Sequence, residues 1–302
     1  MRPYPCFDDA VVDALRLSRA MTYKTALAGL PCGGGKAVIL GDAATEKTEA
    51  RLRAYGEAVE RLGGRFFTAG DMGIGPADLA IVGQVTRHVS RLGPDSEIDP
   101  SDLAGLGVYH AVRAAARFLD RPIEGLRVAV QGLGKVGYGV AERLARDGVS
   151  LTVADVAPAA AERAARELRA RVVDASAIWD EPCDILSPNA QGGVLGTETI
   201  ARLRCRAVVG GANEQLVSPD AGDALAAKRI LWAPDYVASA GGVLSLPFER
   251  GEWDAARTRD EVRAIGDRLI EIWTRAAREN QPPARIAERM VEDRLANAGR
   301  LP

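Results

Sequence analysis

Histidine is almost absent from this chain: 302 residues carry only His88 and His110, beside four scattered cysteines, Cys6, Cys32, Cys183 and Cys205. Two histidines exclude a multi-histidine metal site. Cysteines so far apart fit neither a zinc site nor a disulfide framework, so no metal is expected. The same scarcity leaves little for a Ser–His or Cys–His nucleophile. His110 falls inside a helical stretch, 106–118, and reads as a packing or surface residue. Acid–base work therefore falls to lysine and carboxylate. Excess charge of either sign is also missing, with 39 Lys and Arg against 41 Asp and Glu. Such a balance offers no basic surface to nucleic acid or to an anionic membrane. No apolar run reaches bilayer length, and the N-terminus lacks a signal-peptide core, so a cytoplasmic protein is expected. Hydrophobic residues make up 47% of the chain, enough core for one large or two ordinary domains.

What is present is glycine, in two informative places. Met21-Thr22-Tyr23-Lys24 is followed by Gly33-Gly34-Gly35-Lys36, and later by Gly70-Asp71-Met72-Gly73. Three successive glycines remove three side chains, so the backbone can press against a small ligand, at a cost in chain entropy. Lys36 then enters the cleared space. A second lysine and an aspartate nearby surround one small polar molecule with two cations and a carboxylate. A single lysine is ordinarily a solvated surface charge; the set argues for a site.

The second place lies downstream. Leu126–Gln131 reads as a buried strand running into Gly132-Leu133-Gly134-Lys135-Val136-Gly137, then a helix through Val140, Ala141 and Leu144. The next strand, Ser150–Ala154, ends at Asp155. Strand, glycine turn, helix, strand and terminal acid form the pattern of a dinucleotide-binding unit. Gly132 permits the turn, Gly134 lets backbone approach a pyrophosphate, and Gly137 allows close helix–strand packing. The pyrophosphate then rests on amides at the helix N-terminus, where Lys135 and Val136 also lie. Asp155 is suited to accept from ribose hydroxyls and to repel a 2′-phosphate, and Arg163 lies too far along the following helix to serve such a phosphate. NAD is expected rather than NADP.

Coarser patterning organises the rest. Helices are expected at 8–23, capped by Asp8 or Asp9, at 45–62, at 76–88 and from a Ser101-Asp102 cap to Phe118. Short strands are expected at 37–40 and 65–68, which puts Asp71 at a strand's carboxyl end. From Leu126 onward, strands at 126–131, 151–154, 171–173, 184–186, 207–209 and 230–232 alternate with helices, including the alanine- and arginine-rich 158–170. Such alternation argues a doubly wound parallel sheet. Two helices, at about 256–280 and 284–298, close the chain.

Taken together, these segments resemble the glutamate/leucine/phenylalanine/valine dehydrogenase family, most closely its leucine and phenylalanine branch. Beyond the motifs above, Gly107-Val108-Tyr109, Gly211-Ala212-Asn213-Glu214-Gln215-Leu216, Ala233-Pro234-Asp235-Tyr236-Val237 and Ala240-Gly241-Gly242-Val243 carry the likeness, which spans the whole chain. The resemblance implies an α/β fold: a substrate (dimerisation) domain at 1–100, shortened at its N-terminus, and a Rossmann-type NAD-binding domain at 101–283. A C-terminal helix at 284–302 then returns to the substrate domain. It further implies NAD-dependent, reversible oxidative deamination of an L-amino acid to a 2-oxo acid and ammonia, in a homo-oligomer. By matching position, Lys24 pairs with the substrate carboxylate, and Lys36 is the catalytic lysine that activates water. Asp71 shuttles protons. Asn213 orients the substrate or the nicotinamide, and Asn189 and Ala190 join the glycine turn and Asp155 around the cofactor. Where glutamate-specific relatives hold a side-chain carboxylate, Ala69, Val243 and Leu246 offer an apolar lining. A branched aliphatic or aromatic amino acid is the expected substrate.

Two departures bear on that reading. Ser239 stands where the leucine branch commonly has asparagine. Relative to the family the chain also begins about forty residues late, which is expected to leave the first sheet with an uncovered edge. Two other readings stay open: a catalytically impaired NAD-binding homologue or scaffold, and a biosynthetic dehydrogenase for a bulky amino acid such as tryptophan.

Overall fold

The computed structural model of the chain describes residues 1–93 and 95–298. Its first third is helical: α1 (Phe7–Leu27), α2 (Glu49–Arg61) and α3 (Pro76–Val82), followed by the long α4 (Pro100–Phe118). α1 begins at Phe7, so Asp8 and Asp9 lie in its first turn rather than at its cap, where their charge suits the helix dipole. Thr48 caps α2 by accepting from the Arg51 amide. Asp99 caps α4, two residues before the expected Ser101, with Pro100 at the first helical position, where its missing N–H costs nothing.

The strands expected at 37–40 and 65–68 do not form. Among the described residues, that region has only single bridges, Arg2 with Leu40, Thr68 with Val89 and Asp71 with Ile74. A strand needs a neighbour along its length, and here each segment meets one for a single residue pair. The Thr68–Val89 bridge also explains why α3 stops at Val82, well short of His88: the chain must be extended again by Val89.

The remainder is β1 (Arg127–Gln131), α5 (Lys135–Arg146), β2 (Ser150–Ala154), α6 (Pro158–Leu168), β3 (Arg171–Val172), β4 (Ile185–Pro188), α7 (Thr197–Arg202), β5 (Ala207–Val208), α8 (Pro219–Ala227) and β6 (Leu231–Trp232). Short α9 (Asp235–Ala238), a 3₁₀ turn at Gly242–Ser245 and α10 (Leu246–Glu249) lead to α11 (Ala255–Arg263), α12 (Ile265–Glu279) and α13 (Pro283–Ala298). The single helix expected at 256–280 is thus two. The break falls at Ala264, beside Gly266, whose missing side chain lets α12 approach the His110 carbonyl of α4.

All six strands run parallel in the order β3-β2-β1-β4-β5-β6. Alternate residues feed opposite faces, as the pleat requires. Val128, Val130 and Ile185 join α4, α5 and α12 in one core, while Ala129, Leu186 and Val208 join α7 and α8 in the other. Both faces are covered, which is why these strands read as continuous apolar runs. α13 packs on both α12 and α1, its Ile286, Ala287 and Val291 sharing a core with Ala26 and Leu27. No helix among the described residues is long and apolar enough to cross a membrane.

Candidate active site

The strand order reverses between β1 and β4, and in open parallel sheets the crevice beyond the strand ends at that point takes ligands. Gly132 leaves β1 at φ +88°, a conformation that favours glycine, and a Cβ there would strike Ala190 at 2.7 Å. Gly137 is fixed by contact: its Cβ would stand 1.9 Å from the Gly132 carbonyl oxygen, so α5 packs directly on the turn. Gly134 differs, with nothing within 4 Å, and it opens α5 with Lys135 exposed beside it. The room for a phosphate group is therefore at Gly134. Asp155 closes the turn from below, accepting from the Leu133 amide at 2.5 Å and the Ala157 amide at 2.8 Å. Asn189 joins the far lip by donating to the Ser187 carbonyl oxygen and accepting from the Gly211 amide at 2.8 Å.

The second half of the site is built on α1. Gly34 is pressed against that helix so closely that a Cβ would lie 1.9 Å from the Thr22 nitrogen, and a Cβ on Gly35 would meet the Phe66 ring at 2.9 Å. These two glycines serve packing; only Gly33 faces open space. The Thr22 hydroxyl accepts from the Gly34 amide at 3.2 Å, and the Ser18 hydroxyl accepts from the Lys36 amide at 2.9 Å. α1 thus aims Lys36, whose ammonium forms a direct ion pair with Asp71. Asp71 sits in a tight turn closed by reciprocal backbone bonds with Ile74, with Gly73 at φ +77°. Burial lowers the Lys36 pKa. The depression comes from desolvation and not from a neighbouring cation.

Lys24, in the last turn of α1, reaches across to the nucleotide half and donates to Asn213 Oδ1 at 2.8 Å. Burial takes its pKa down to about 8, against the opposing pull of Asp235 and with a smaller contribution from Lys36. Two further contacts join the halves beside it: Arg16 with Glu214 at 2.6 Å, and the Tyr23 ring edge-on to Tyr236 at 5.6 Å.

Asp235 and Gln215 are buried polar positions near Asn213 that residue-by-residue reasoning passed over, although both lie in segments that carry the family likeness. Gln215 is fully buried. Its side-chain amide donates to the Gly210 and Ala212 carbonyls, and its oxygen accepts from Trp232 Nε1 at 3.2 Å. Its backbone amide donates to Asp235 at 3.2 Å. Together they lock the loop that presents Asn213. Burial raises the Asp235 pKa, and Lys24 opposes it. Ser239 turns its hydroxyl back to the Asp235 carbonyl at 2.6 Å and stands 3.5 Å from Asn213 Oδ1. Of the apolar candidates, Ala69 is exposed beside the Asp71 turn, while Val243 and Leu246 are partly buried at the 3₁₀ turn and the start of α10.

His110 stays out of the chemistry. It packs edge-on against Tyr109 at 4.9 Å, and burial lowers its pKa to about 4, leaving it neutral at physiological pH. It lines a cavity of about 650 Å³ between α4 and α12, to which none of the expected site residues contributes.

A parallel sheet with a glycine turn at its switch point has the architecture of an α/β nucleotide-binding enzyme. Residues 1–88 match the family described as "Glu/Leu/Phe/Val dehydrogenase, dimerisation domain", and residues 159–298 match "Glutamate/Leucine/Phenylalanine/Valine dehydrogenase". The chain is 41% identical over 299 residues to a leucine dehydrogenase of Thermoactinomyces intermedius, covering 98% of this chain and 82% of that protein. It is 39% identical over 302 residues to a phenylalanine dehydrogenase of the same organism, with the same coverage. The crystal structure of L-tryptophan dehydrogenase from Nostoc punctiforme superposes with a TM-score of 0.86 at 38% identity, covering 99% of this chain and 87% of that one. The chain belongs to the Glu/Leu/Phe/Val dehydrogenase family and is an NAD(P)-dependent amino-acid dehydrogenase.

Proposed function

We propose that this enzyme oxidises an apolar or aromatic L-amino acid with NAD, releasing the 2-oxo acid and ammonia, and that Lys36 and Asp71 carry the proton chemistry. The direct Lys36–Asp71 pair, with Lys36 held by Ser18 of α1 and Asp71 in a tight turn, is the observation that carries this reading. NAD supplies the acceptor for the hydride that leaves the amino-acid Cα. The backbone at Gly134 and the first turn of α5, with Lys135 and Val136, would hold its pyrophosphate, and Asp155 its adenosine ribose. Asn189, Ala190 and Asn213 would border the nicotinamide end. Lys24 holds the substrate carboxylate, to which its ammonium turns while keeping Asn213 in place. Lys36, whose pKa burial lowers, takes a proton from the water that attacks the substrate imine once its ammonium has given up its own. Asp71 moves protons between that lysine and the departing amino group. The family's dimerisation domain and the exposed apolar residues of α1, Phe7, Val12 and Leu15, support a homo-oligomer.

Substrate choice follows from the lining. Ala69, Val243 and Leu246 present no partner for a carboxylate, and burying one unpaired costs several kcal/mol, a discrimination of about a thousandfold. Leucine, valine or phenylalanine is expected to be oxidised far faster than glutamate, as NADH formation across a panel of L-amino acids will show. Glutamate as the best substrate overturns this pocket.

For the cofactor, Asp155 ends β2, and Arg163 is committed elsewhere, stacked on the Tyr138 ring at 3.9 Å and bonded to Glu167. NAD is expected to bind more tightly than NADP, and Asp155→Ala to shrink that preference by about 10- to 100-fold, the worth of a charged hydrogen bond. Titration of both cofactors checks it; equal affinities in the parent enzyme sink the assignment.

Gly34 offers a test of the packing. Gly34→Ala forces the loop off α1 and moves Lys36, and displacement on the scale of an ångström is expected to lower kcat by about 100-fold. NAD affinity stays constant, because the glycine turn after β1 is untouched.

A further inference from the structure

Cys183 and Cys205 have no part in the dehydrogenase chemistry. Ile185 of β4 is the register partner of Ala207 of β5, and Cys183 and Cys205 each lie two residues earlier, just before the paired strands begin. The Cys183 amide donates to the Arg204 carbonyl at 3.4 Å, which brings the two segments side by side at the cysteines. Neighbouring strands lie about 4.8 Å apart, within the Cα separation that a disulfide spans. Both side chains occupy the same face of the sheet, in the core with Ala129, Leu186 and Val208, and both are free thiols. Their access differs: Cys183 is buried, and Cys205 is partly buried between the exposed Arg204 and Arg206.

We propose that Cys183 and Cys205 form a reactive dithiol that a small disulfide of the glutathione class oxidises to an intramolecular disulfide, with Cys205 attacking and Cys183 resolving. A partly accessible thiol among cations, with a second thiol beside it, has the surroundings of a redox-sensitive cysteine. The contact with Cys183, then backbone hydrogen bonds and Lys228, favour the Cys205 thiolate against the cost of burial. The contact with Cys205, together with burial, holds Cys183 protonated.

In the first step the Cys205 thiolate attacks one sulfur of R–S–S–R, forming Cys205–S–S–R and expelling R–S⁻, which takes up the proton that Cys205 released. Cys183 then loses its proton, attacks the Cys205 sulfur and expels the second R–S⁻, which is protonated in turn. Two protein thiols are oxidised and one small disulfide is reduced to two thiols. The pair stands at the amino ends of β4 and β5, opposite the ends that lead to Asn189 and Asn213, so its reactivity is separable from catalysis.

The test treats the folded, full chain with excess oxidised glutathione, blocks remaining thiols with an alkylating agent and maps the peptides by mass. A Cys183–Cys205 cross-linked peptide is expected, whereas Cys6 and Cys32, which have no facing thiol, yield only glutathione adducts. Cys183→Ser is expected to trap glutathione on Cys205, and Cys205→Ser to leave Cys183 as a free thiol. Recovery of both Cys183 and Cys205 as alkylated thiols in the parent protein, after exposed Cys6 has reacted, overturns the proposal. So does a folded Cys183→Ser protein without an adduct on Cys205.

Discussion

Lys36→Ala is expected to lower kcat for amino-acid oxidation by about 10²- to 10⁴-fold, the usual contribution of a general acid–base group, while NAD binds as before. The separation of effects follows from the geometry. Lys36 is placed by Ser18 and Gly34 of the α1 side and paired with Asp71, whereas the glycine turn after β1 is built entirely within the nucleotide half. Asp71→Asn should fail in a related way, since it leaves Lys36 without its charge partner. The pH profile gives a second readout. Lys36 acts as a base only when neutral, and burial has lowered its pKa, so kcat/KM rises with pH through an inflection below the ordinary lysine value. A Lys36→Ala enzyme with near-normal turnover would show that the pair is not the proton-handling centre.

The second large effect runs in opposite directions for binding and stability. Lys24→Met removes the ammonium that meets the substrate carboxylate, and KM is expected to rise about 10- to 100-fold, the worth of a charge-assisted bond. The same change is expected to stabilise the fold at neutral pH. The folded-state pKa of about 8 lies below that of a lysine in the unfolded chain, so the folded protein binds fewer protons between those values. The penalty for burying the charge is therefore present in full below about pH 8 and relieved as pH rises toward about 10.5. Discounting for the part of Lys24 that remains open to the cleft, and for the donor Asn213 loses, the gain is about 1–2 kcal/mol at neutral pH and near zero at high pH. Urea or thermal unfolding at several pH values checks the sign. A variant less stable than the parent at neutral pH contradicts it. Active sites commonly hold such costly groups, and stability exchanged for function is the general pattern.

The nucleotide half was legible almost strand by strand, and for a definite reason. A parallel sheet covered on both faces writes itself as short apolar, β-branched runs, and a glycine turn between such a run and a helix has few other uses. Asp155 could be placed because it ends a strand, a local property. The N-terminal third was less legible. The runs at 37–40 and 65–68 have strand composition, yet a strand depends on what lies beside it, and composition does not report neighbours. The triple glycine shows the same limit. Its entropy cost marked it as purposeful, but whether it clears space for a ligand or for α1 is decided by Thr22 and Phe66, residues distant in sequence.

Sequence alone therefore determined the six strands of the sheet, the glycine turn after β1 and the residue types available for chemistry, because periodicity, turn stereochemistry and titration range belong to single residues and their near neighbours. Tertiary structure alone decided which of those residues work together. Lys24 and Asn213 are 189 positions apart, Lys36 and Asp71 are 35 apart, and Gln215 and Asp235 are 20 apart. The pKa depressions of both lysines, like the juxtaposition of Cys183 with Cys205, arise from desolvation and strand register. Those quantities exist only once the chain has closed on itself.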